Sequence, residues 1–167
     1  LGETLGAEVT GLNLQAPHGR REIDQLMKKW SRHGVLVFRG QRITDEEQVR
    51  FARRLGRLET FTPRKENVPF IPEIFRSSNT DELGQLLPSH DERIKMLRLN
   101  WLWHIDSSYR ELPIKGVVLR ALHVAEEGGD TIFADNVTAF EKLPSVMKRR
   151  IESLRAIHNF AYLVRQQ

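Results

Sequence analysis

Residues 100–109 read NWLWHIDSSY, and this stretch decides how the rest of the chain is interpreted. In an extended strand, side chains alternate between two faces, so His104 and Asp106 would point to one side and Trp103 to the other. On a helix the same two positions would lie about 200° apart. The aromatic and β-branched residues of this stretch favour a strand. We therefore expect one imidazole and one carboxylate to converge on a single point.

An imidazole nitrogen and a carboxylate oxygen are two of the three protein ligands in the 2-His-1-carboxylate site, which holds non-haem Fe(II) and leaves positions open. The spacing His-x-Asp is weak evidence alone, because a histidine at a strand end that bonds a nearby carboxylate shares it. His123 and His158 are alternative ligands, although the apolar surroundings of His123 favour a structural role. The metal interpretation therefore needs a second motif.

The second motif is Gly-Gly-Asp-Thr at 128–131, downstream of Trp-His-Ile-Asp at 103–106. The two motifs resemble the W-H-x-D and G-G-D-T motifs of the taurine dioxygenase family of Fe(II)/2-oxoglutarate-dependent oxygenases. Residues 5–14 (LGAEVTGLNL) and 34–41 (GVLVFRGQ) resemble two further segments of that family. Four motifs in the family's order are more specific than any one of them.

The resemblance implies an enzyme that uses Fe(II), 2-oxoglutarate and O2 to hydroxylate a small anionic organic substrate, releasing succinate and CO2. Residues 106–109 look most like the members that degrade phenoxyacetate herbicides, so an aryloxyalkanoate-like acid is the expected substrate. The residues that the resemblance implies are the metal ligands His104 and Asp106, Thr131 at the distal carboxylate of 2-oxoglutarate, and Asn100, Ser107 and Arg64 at the substrate.

Several alternatives stay open. A sulfonate dioxygenase of the taurine type, or a desaturase, would use the same machinery on another substrate. A non-catalytic cupin-like binding module would bind no iron. At individual positions, Gly128-Gly129 is also an ordinary hairpin turn followed by a Thr131 of high β-propensity. Arg64 also fits a solvent-exposed loop broken by prolines.

The fold that the resemblance implies is α+β, with a double-stranded β-helix, or cupin-like jelly roll, flanked by helices. We expect residues 1–167 to be a single domain and the N-terminal portion of such a fold, incomplete at its C-terminus. Nothing in residues 132–167 resembles the family's second iron histidine or its 2-oxoglutarate-binding arginine. With two metal ligands and no arginine, the chain alone is expected to be inactive.

Composition narrows the possible partners. The 167 residues are 40% hydrophobic and 29% charged, with a net charge of +4 and no cysteine, so any metal must use His, Asp or Glu. Lys and Arg are interspersed with acids, which favours a small anionic substrate over nucleic acid. No apolar run reaches membrane-spanning length and no secretory signal opens the chain, so we expect a cytoplasmic protein. A homo-oligomer is compatible with this composition.

Helices are predicted where apolar spacing and end signals agree. The apolar pattern from 23 to 30 predicts an amphipathic helix that Gly34 ends. Thr44 and Glu47 form a capping box that opens a second helix, ended by Gly56. Two more are expected, one capped by Asn136 or Thr138 and one that follows Ser145.

Strands and loops are predicted from apolar runs and turn residues. We expect a hairpin or edge strand over 5–14 with Gly11 at its turn, and a strand buried on both faces at 35–38. Further strands are expected at 74–75, at 116–124, after Thr131 and from residue 156. Residues 81–95 have no periodicity and are expected to be a mobile lid.

Overall fold

The structure is a computed structural model that describes residues 5–61, 71–81 and 83–165. Its elements, in chain order, are β1 (Ala7–Glu8), α1 (Arg20–His33), β2 (Leu36–Val37), α2 (Asp45–Leu55), α3 (Glu92–Arg98), a 3-10 turn (Leu99–Trp101), α4 (Asn136–Glu141), α5 (Ser145–Ile151) and α6 (Phe160–Arg165). The described chain is therefore α+β, as expected, with few strands. Its residues cluster into two compact units: unit 1 contains residues 1–58 and 118–154, and unit 2 contains residues 59–117 and 155–167.

Helix α1 confirms the apolar periodicity, since it buries Ile23 and Leu26. It ends at a tight turn in which Gly34 has φ +67° and ψ −41°. The Val35 amide donates to the His33 carbonyl at 2.7 Å across this turn, so the turn spans three residues. Because L side chains rarely adopt this conformation, a glycine is needed here.

Helix α2 confirms the predicted capping box. The Glu47 amide donates to the Thr44 hydroxyl at 3.2 Å, and the Thr44 amide donates to the Glu47 carboxylate at 2.8 Å. These bonds satisfy amides that a helix start leaves without partners. The bond from the Thr44 amide also lowers the pKa of Glu47, and a second hydrogen bond, from the Gln15 side chain, lowers it further.

The sheet of unit 1 confirms the edge-strand alternative for residues 5–14 and a strand within 35–38, but not the hairpin. Strand β1 pairs in parallel with β2, with Ala7 opposite Leu36, so residues 5–14 do not form a hairpin. Strand β2 is half-buried on both residues and not fully buried. A parallel partner lies far along the chain, and local residue patterns therefore cannot reveal it. A side-chain hydrogen bond joins the chain beyond β1 to the chain beyond β2, because the Gln41 Oε1 atom accepts from the Leu14 amide at 3.0 Å.

The core of unit 1 is built from side chains of α1, α2, β2 and the segment after β1. Leu14, Leu26 and Phe51 are buried together, with Leu36, Phe38 and Val118 among the half-buried side chains packed on them. Phe51 is 3% exposed and meets the Phe38 ring edge-on, with the ring centroids 6.0 Å apart. Helix α2 supplies the centre of this core.

Residues 118–120 are fastened to the start of α2. The Gln48 side chain donates to the Val118 carbonyl at 3.0 Å. The Arg120 guanidinium donates to the Ile43 carbonyl and pairs with the Asp45 carboxylate, and the Arg120 and Asp45 side chains are 18% and 16% exposed. An ion pair largely removed from water holds this segment in place.

The strands predicted at 74–75, at 116–124 and after Thr131 are not formed among the described residues, and residues 156–159 have no strand either. Backbone strands need hydrogen-bonding partners, and no described segment pairs with these stretches. The tail after residue 159 instead forms helix α6. None of the described helices is long and apolar enough to cross a membrane.

Large apolar side chains are exposed over much of the second half of the chain. They include Trp101, Trp103, Leu112, Val124 and Ile157, of which Ile157 is 94% exposed. No described segment covers them. This exposure contrasts with the buried core that the first 58 residues form largely on their own.

Candidate functional site

A short helix leads into the predicted metal-binding stretch. Helix α3 is capped by Asp91, whose carboxylate accepts from the Arg93 amide at 2.8 Å and from the Arg93 guanidinium at 2.9 and 3.0 Å. These bonds, led by the guanidinium, lower the pKa of Asp91 to about 2. The helix continues into the 3-10 turn, where Leu99 is buried. Residues 81–95, expected to be a lid, therefore contain part of a helix.

His104 and Asp106 converge, as the sequence predicts. The His104 Nε2 atom lies 3.2 Å from the Asp106 Oδ1 atom, and both side chains are partly open to solvent. They achieve this without a strand, because residues 103–105 are irregular and a turn covers 106–109. The approach of the two side chains therefore does not depend on a strand.

The tautomer of His104 is fixed by its other nitrogen. The Nδ1 atom lies 2.7 Å from the Leu102 carbonyl oxygen, which can only accept, so Nδ1 carries the hydrogen. In the neutral ring the lone pair is then on Nε2, and it faces the Asp106 carboxylate. Nε2 and the carboxylate oxygen are thus two electron-pair donors that could share one cation.

This donor pair fits a metal ion. An imidazole whose Nδ1 hydrogen is held by a carbonyl is the usual arrangement of a metal-binding histidine. Adjacent ligands around an octahedral ion with bonds of about 2.1 Å lie about 3 Å apart, close to the separation of His104 Nε2 and Asp106 Oδ1. No cluster of three or more His, Cys, Asp or Glu side chains that could hold a metal occurs within the described ranges. The described residues thus bring together two side chains of the types that bind metals, His104 and Asp106.

The turn that carries Asp106 has an unusual backbone. Ser107 has φ +57°, and it is the one non-glycine residue with positive φ in the described part of the chain. A serine in this region costs energy relative to the usual conformations. The Arg110 amide donates to the Ser107 carbonyl at 3.0 Å, which closes the turn.

Two distant residues hold this turn from outside. The Ser108 hydroxyl is hydrogen-bonded to the His158 Nδ1 atom at 2.9 Å, fifty positions away. The Arg110 guanidinium pairs with the Glu59 carboxylate. Both contacts lie within unit 2. Neither contact is predictable from the sequence, because side chains brought together from such distances leave no periodic signal.

The other predicted site residues are not all brought to this pair. Asn100 is exposed in the 3-10 turn, which replaces the strand expected there. Ser107 is half-buried beside Asp106. Arg64 lies outside the described residues. His123 is exposed, and His158 contacts Ser108.

Thr131 belongs to unit 1 and is exposed, with no regular strand at its position. Gly128 and Gly129 have the predicted positive φ, +71° and +73°, but the backbone forms no regular turn at 128–131. The helix after this segment, α4, is capped by Asp135 and not by Asn136 or Thr138. The pKa of Asp135 is lowered, chiefly by the Thr138 hydroxyl and then by the Thr138 amide. By sequence position alone, the side chain at 135, 136 or 138 could cap the helix. In the structure the Asp135 carboxylate accepts from the Val137 and Thr138 amides and is the cap.

Comparison with known proteins places the chain in a family. The profile of the taurine catabolism dioxygenase TauD, TfdA family matches residues 1–167. The chain belongs to this family. The resemblance drawn from the 103–106 and 128–131 motifs is therefore confirmed.

Individual relatives agree with this placement. An (S)-phenoxypropionate/alpha-ketoglutarate-dioxygenase of Sphingobium herbicidovorans is 36% identical over 164 residues, covering 97% of this chain and 53% of its own length. An alpha-ketoglutarate-dependent 2,4-dichlorophenoxyacetate dioxygenase of Burkholderia sp. is 30% identical over 154 residues, covering 90% of this chain and 52% of its own. The chain thus spans about half the length of these curated relatives.

A solved structure is also similar. The crystal structure of AAD-2 in complex with Mn(II) and N-oxalylglycine matches with a TM-score of 0.76 and 30% identity, over 91% of this chain and 52% of the AAD-2 chain. The described chain therefore shares the fold of the corresponding part of AAD-2.

Proposed function

We propose that this chain carries the metal-binding pair of an Fe(II)- and 2-oxoglutarate-dependent oxygenase that hydroxylates a small anionic acid of the aryloxyalkanoate type. The observation that carries the proposal is the approach of His104 Nε2 to Asp106 Oδ1, with the histidine tautomer held by Leu102. The family membership and the phenoxypropionate and dichlorophenoxyacetate activities named for two relatives support the machinery and the substrate class.

In this proposal each predicted residue has one task. His104 and Asp106 hold the iron, Thr131 donates a hydrogen bond to 2-oxoglutarate, and Asn100, Ser107 and Arg64 contact the substrate. Bound iron, with 2-oxoglutarate and O2, supplies the oxidant that hydroxylates a substrate C–H bond and leaves succinate and CO2. The protein orients that bond and excludes water from it.

The remaining parts of the site come, in this proposal, from residues outside 1–167. A facial triad needs a second histidine, and a dianionic cosubstrate is best held by an arginine. Relatives about twice as long as this chain have room for both. We also propose that residues 100–135 join a jelly roll in the complete protein, which would cover the exposed side chains of Trp103 and Val124.

The first test is metal binding. Full-length protein expressed from its native gene is titrated anaerobically with Fe(II) and 2-oxoglutarate, and the visible charge-transfer band of the chelate is followed. We expect the band in the wild type and its loss in His104→Ala and Asp106→Ala. His33→Ala, which removes an imidazole at the end of α1, should keep the band. A wild type without the band would indicate a non-catalytic binding module, and variants that keep it would place the metal elsewhere.

The second test is the substrate class. Succinate formation is measured under O2 with phenoxypropionate and, separately, with an alkyl sulfonate. We expect succinate and a phenol from the aryloxy acid, since hydroxylation of the carbon next to the ether oxygen releases the aryl group. Faster turnover of the sulfonate would favour the taurine-type activity that the family's description names.

A further inference from the structure

We infer that His158 is a positioning residue for the metal-binding pair, acting through Ser108 on the turn that carries Asp106. The inference deepens the proposed function and rests on it. It starts from the hydrogen bond of 2.9 Å between the Ser108 hydroxyl and the His158 Nδ1 atom. Ser108 is two residues beyond Asp106, so this bond fixes the chain directly after a metal ligand.

The turn needs such support because its backbone is strained. Ser107 has φ +57°, a region that serine adopts only when its surroundings impose it. Within the turn, the Ser108 amide donates to the Ile105 carbonyl at 3.4 Å, which is long, and the Arg110 amide donates to Ser107 at 3.0 Å. In addition to these bonds within the turn, two side-chain contacts reach it from elsewhere in unit 2.

Those contacts arrive from two separate parts of unit 2. His158 precedes α6 and reaches Ser108, while Glu59 pairs with Arg110 at the other end of the turn. Together they restrain the backbone on the C-terminal side of Asp106. This restraint directs the Asp106 carboxylate toward His104. Side chains around a metal site commonly orient its ligands in this way.

This role differs from a role as a ligand. The His158 Nδ1 atom is hydrogen-bonded to the Ser108 hydroxyl. Its effect on the metal should therefore pass entirely through the Ser108 bond. Removing either partner should have the same consequence, and removing both should add little.

The experiment measures Mn(II) affinity by electron paramagnetic resonance in the full-length protein. We expect His158→Ala and Ser108→Ala each to weaken Mn(II) binding by about tenfold or more, with the double variant no weaker than the single ones. His158→Asn, whose amide can stand where Nδ1 stands, should restore much of the affinity. His33→Asn makes the same chemical change in unit 1 and should bind as the wild type does.

A second readout needs no metal. In the metal-free protein, hydrogen exchange at the Arg110 amide should be several-fold faster in His158→Ala than in the wild type, because the turn opens more often. Unchanged Mn(II) affinity, unchanged amide exchange, or additive losses in the double variant would each overturn the inference while leaving the metal site intact. A wild type that binds no Mn(II) would refute the metal site itself, and the His158 role with it.

Discussion

The turn at Gly34 offers a sharp test of how α1 is joined to β2. Replacing Gly34 with alanine introduces a Cβ atom 2.8 Å from the Leu5 Cδ1 atom, at a residue with φ +67°. Gly40 has the same φ of +67°, but a Cβ atom there would meet nothing within 4 Å. Both substitutions place an alanine at positive φ, and Gly34→Ala adds the contact with Leu5 and the ψ of −41° that the three-residue turn requires.

The magnitudes follow from these two effects. Positive φ costs an alanine about 1–2 kcal/mol, and loss of glycine flexibility in the unfolded chain returns about 0.4–1 kcal/mol. Gly40→Ala should thus destabilise by about 0.5–1 kcal/mol. Gly34→Ala must also displace Leu5 from its rotamer, for a total of about 1–2.5 kcal/mol. In a protein of this size that lowers Tm by roughly 3–8 °C.

Urea unfolding followed by circular dichroism at 222 nm measures both values with the same probe. The expected result is a lower urea midpoint for Gly34→Ala than for Gly40→Ala, with equal slopes for both proteins. A Gly34→Ala protein as stable as Gly40→Ala would refute the reasoning. It would mean that neither the tight turn nor the approach of Leu5 constrains this junction.

Three further changes test other parts of the chain. Phe51→Ala should cost about 3–5 kcal/mol in thermal unfolding because it empties the centre of the unit 1 core, while the exposed neighbour change Arg50→Ala should cost less than about 1 kcal/mol. Arg120→Ala should cost about 2–3 kcal/mol in urea unfolding, because the largely buried Asp45 carboxylate loses its guanidinium partner. The pKa of Asp91 is about 2 in the folded protein, below its unfolded value. Its stabilisation of α3 is therefore complete above pH ~4 and lost as the pH falls toward 2. Arg93→Gln should raise the Asp91 pKa in an NMR titration.

Helices α1 and α2 were predictable because their causes are local. The apolar spacing in α1 and the Thr44 and Glu47 pair in α2 act within a few residues, so the sequence displays them directly. The convergence of His104 and Asp106 was predictable for the same reason. Alternation of side chains is a property of any extended backbone.

The missed features depend on residues far apart. The pairing of β1 with β2 joins segments on either side of α1, and the Ser108–His158 bond spans fifty residues. The strands predicted at 116–124 and after Thr131 failed for a related reason. Their residues have strand propensity, but propensity forms no sheet without a partner backbone, and none of the described segments supplies one.

The parallel pairing of β1 with β2 also bears on the order in which the protein folds. It encloses α1 between two short strands, and the buried Leu14, Leu26 and Phe51 all lie within the first 58 residues. These residues are synthesised well before residues 104–106, since a ribosome adds about 5–20 residues per second. The nascent chain can therefore assemble most of this helical scaffold several seconds before residues 104–106 emerge.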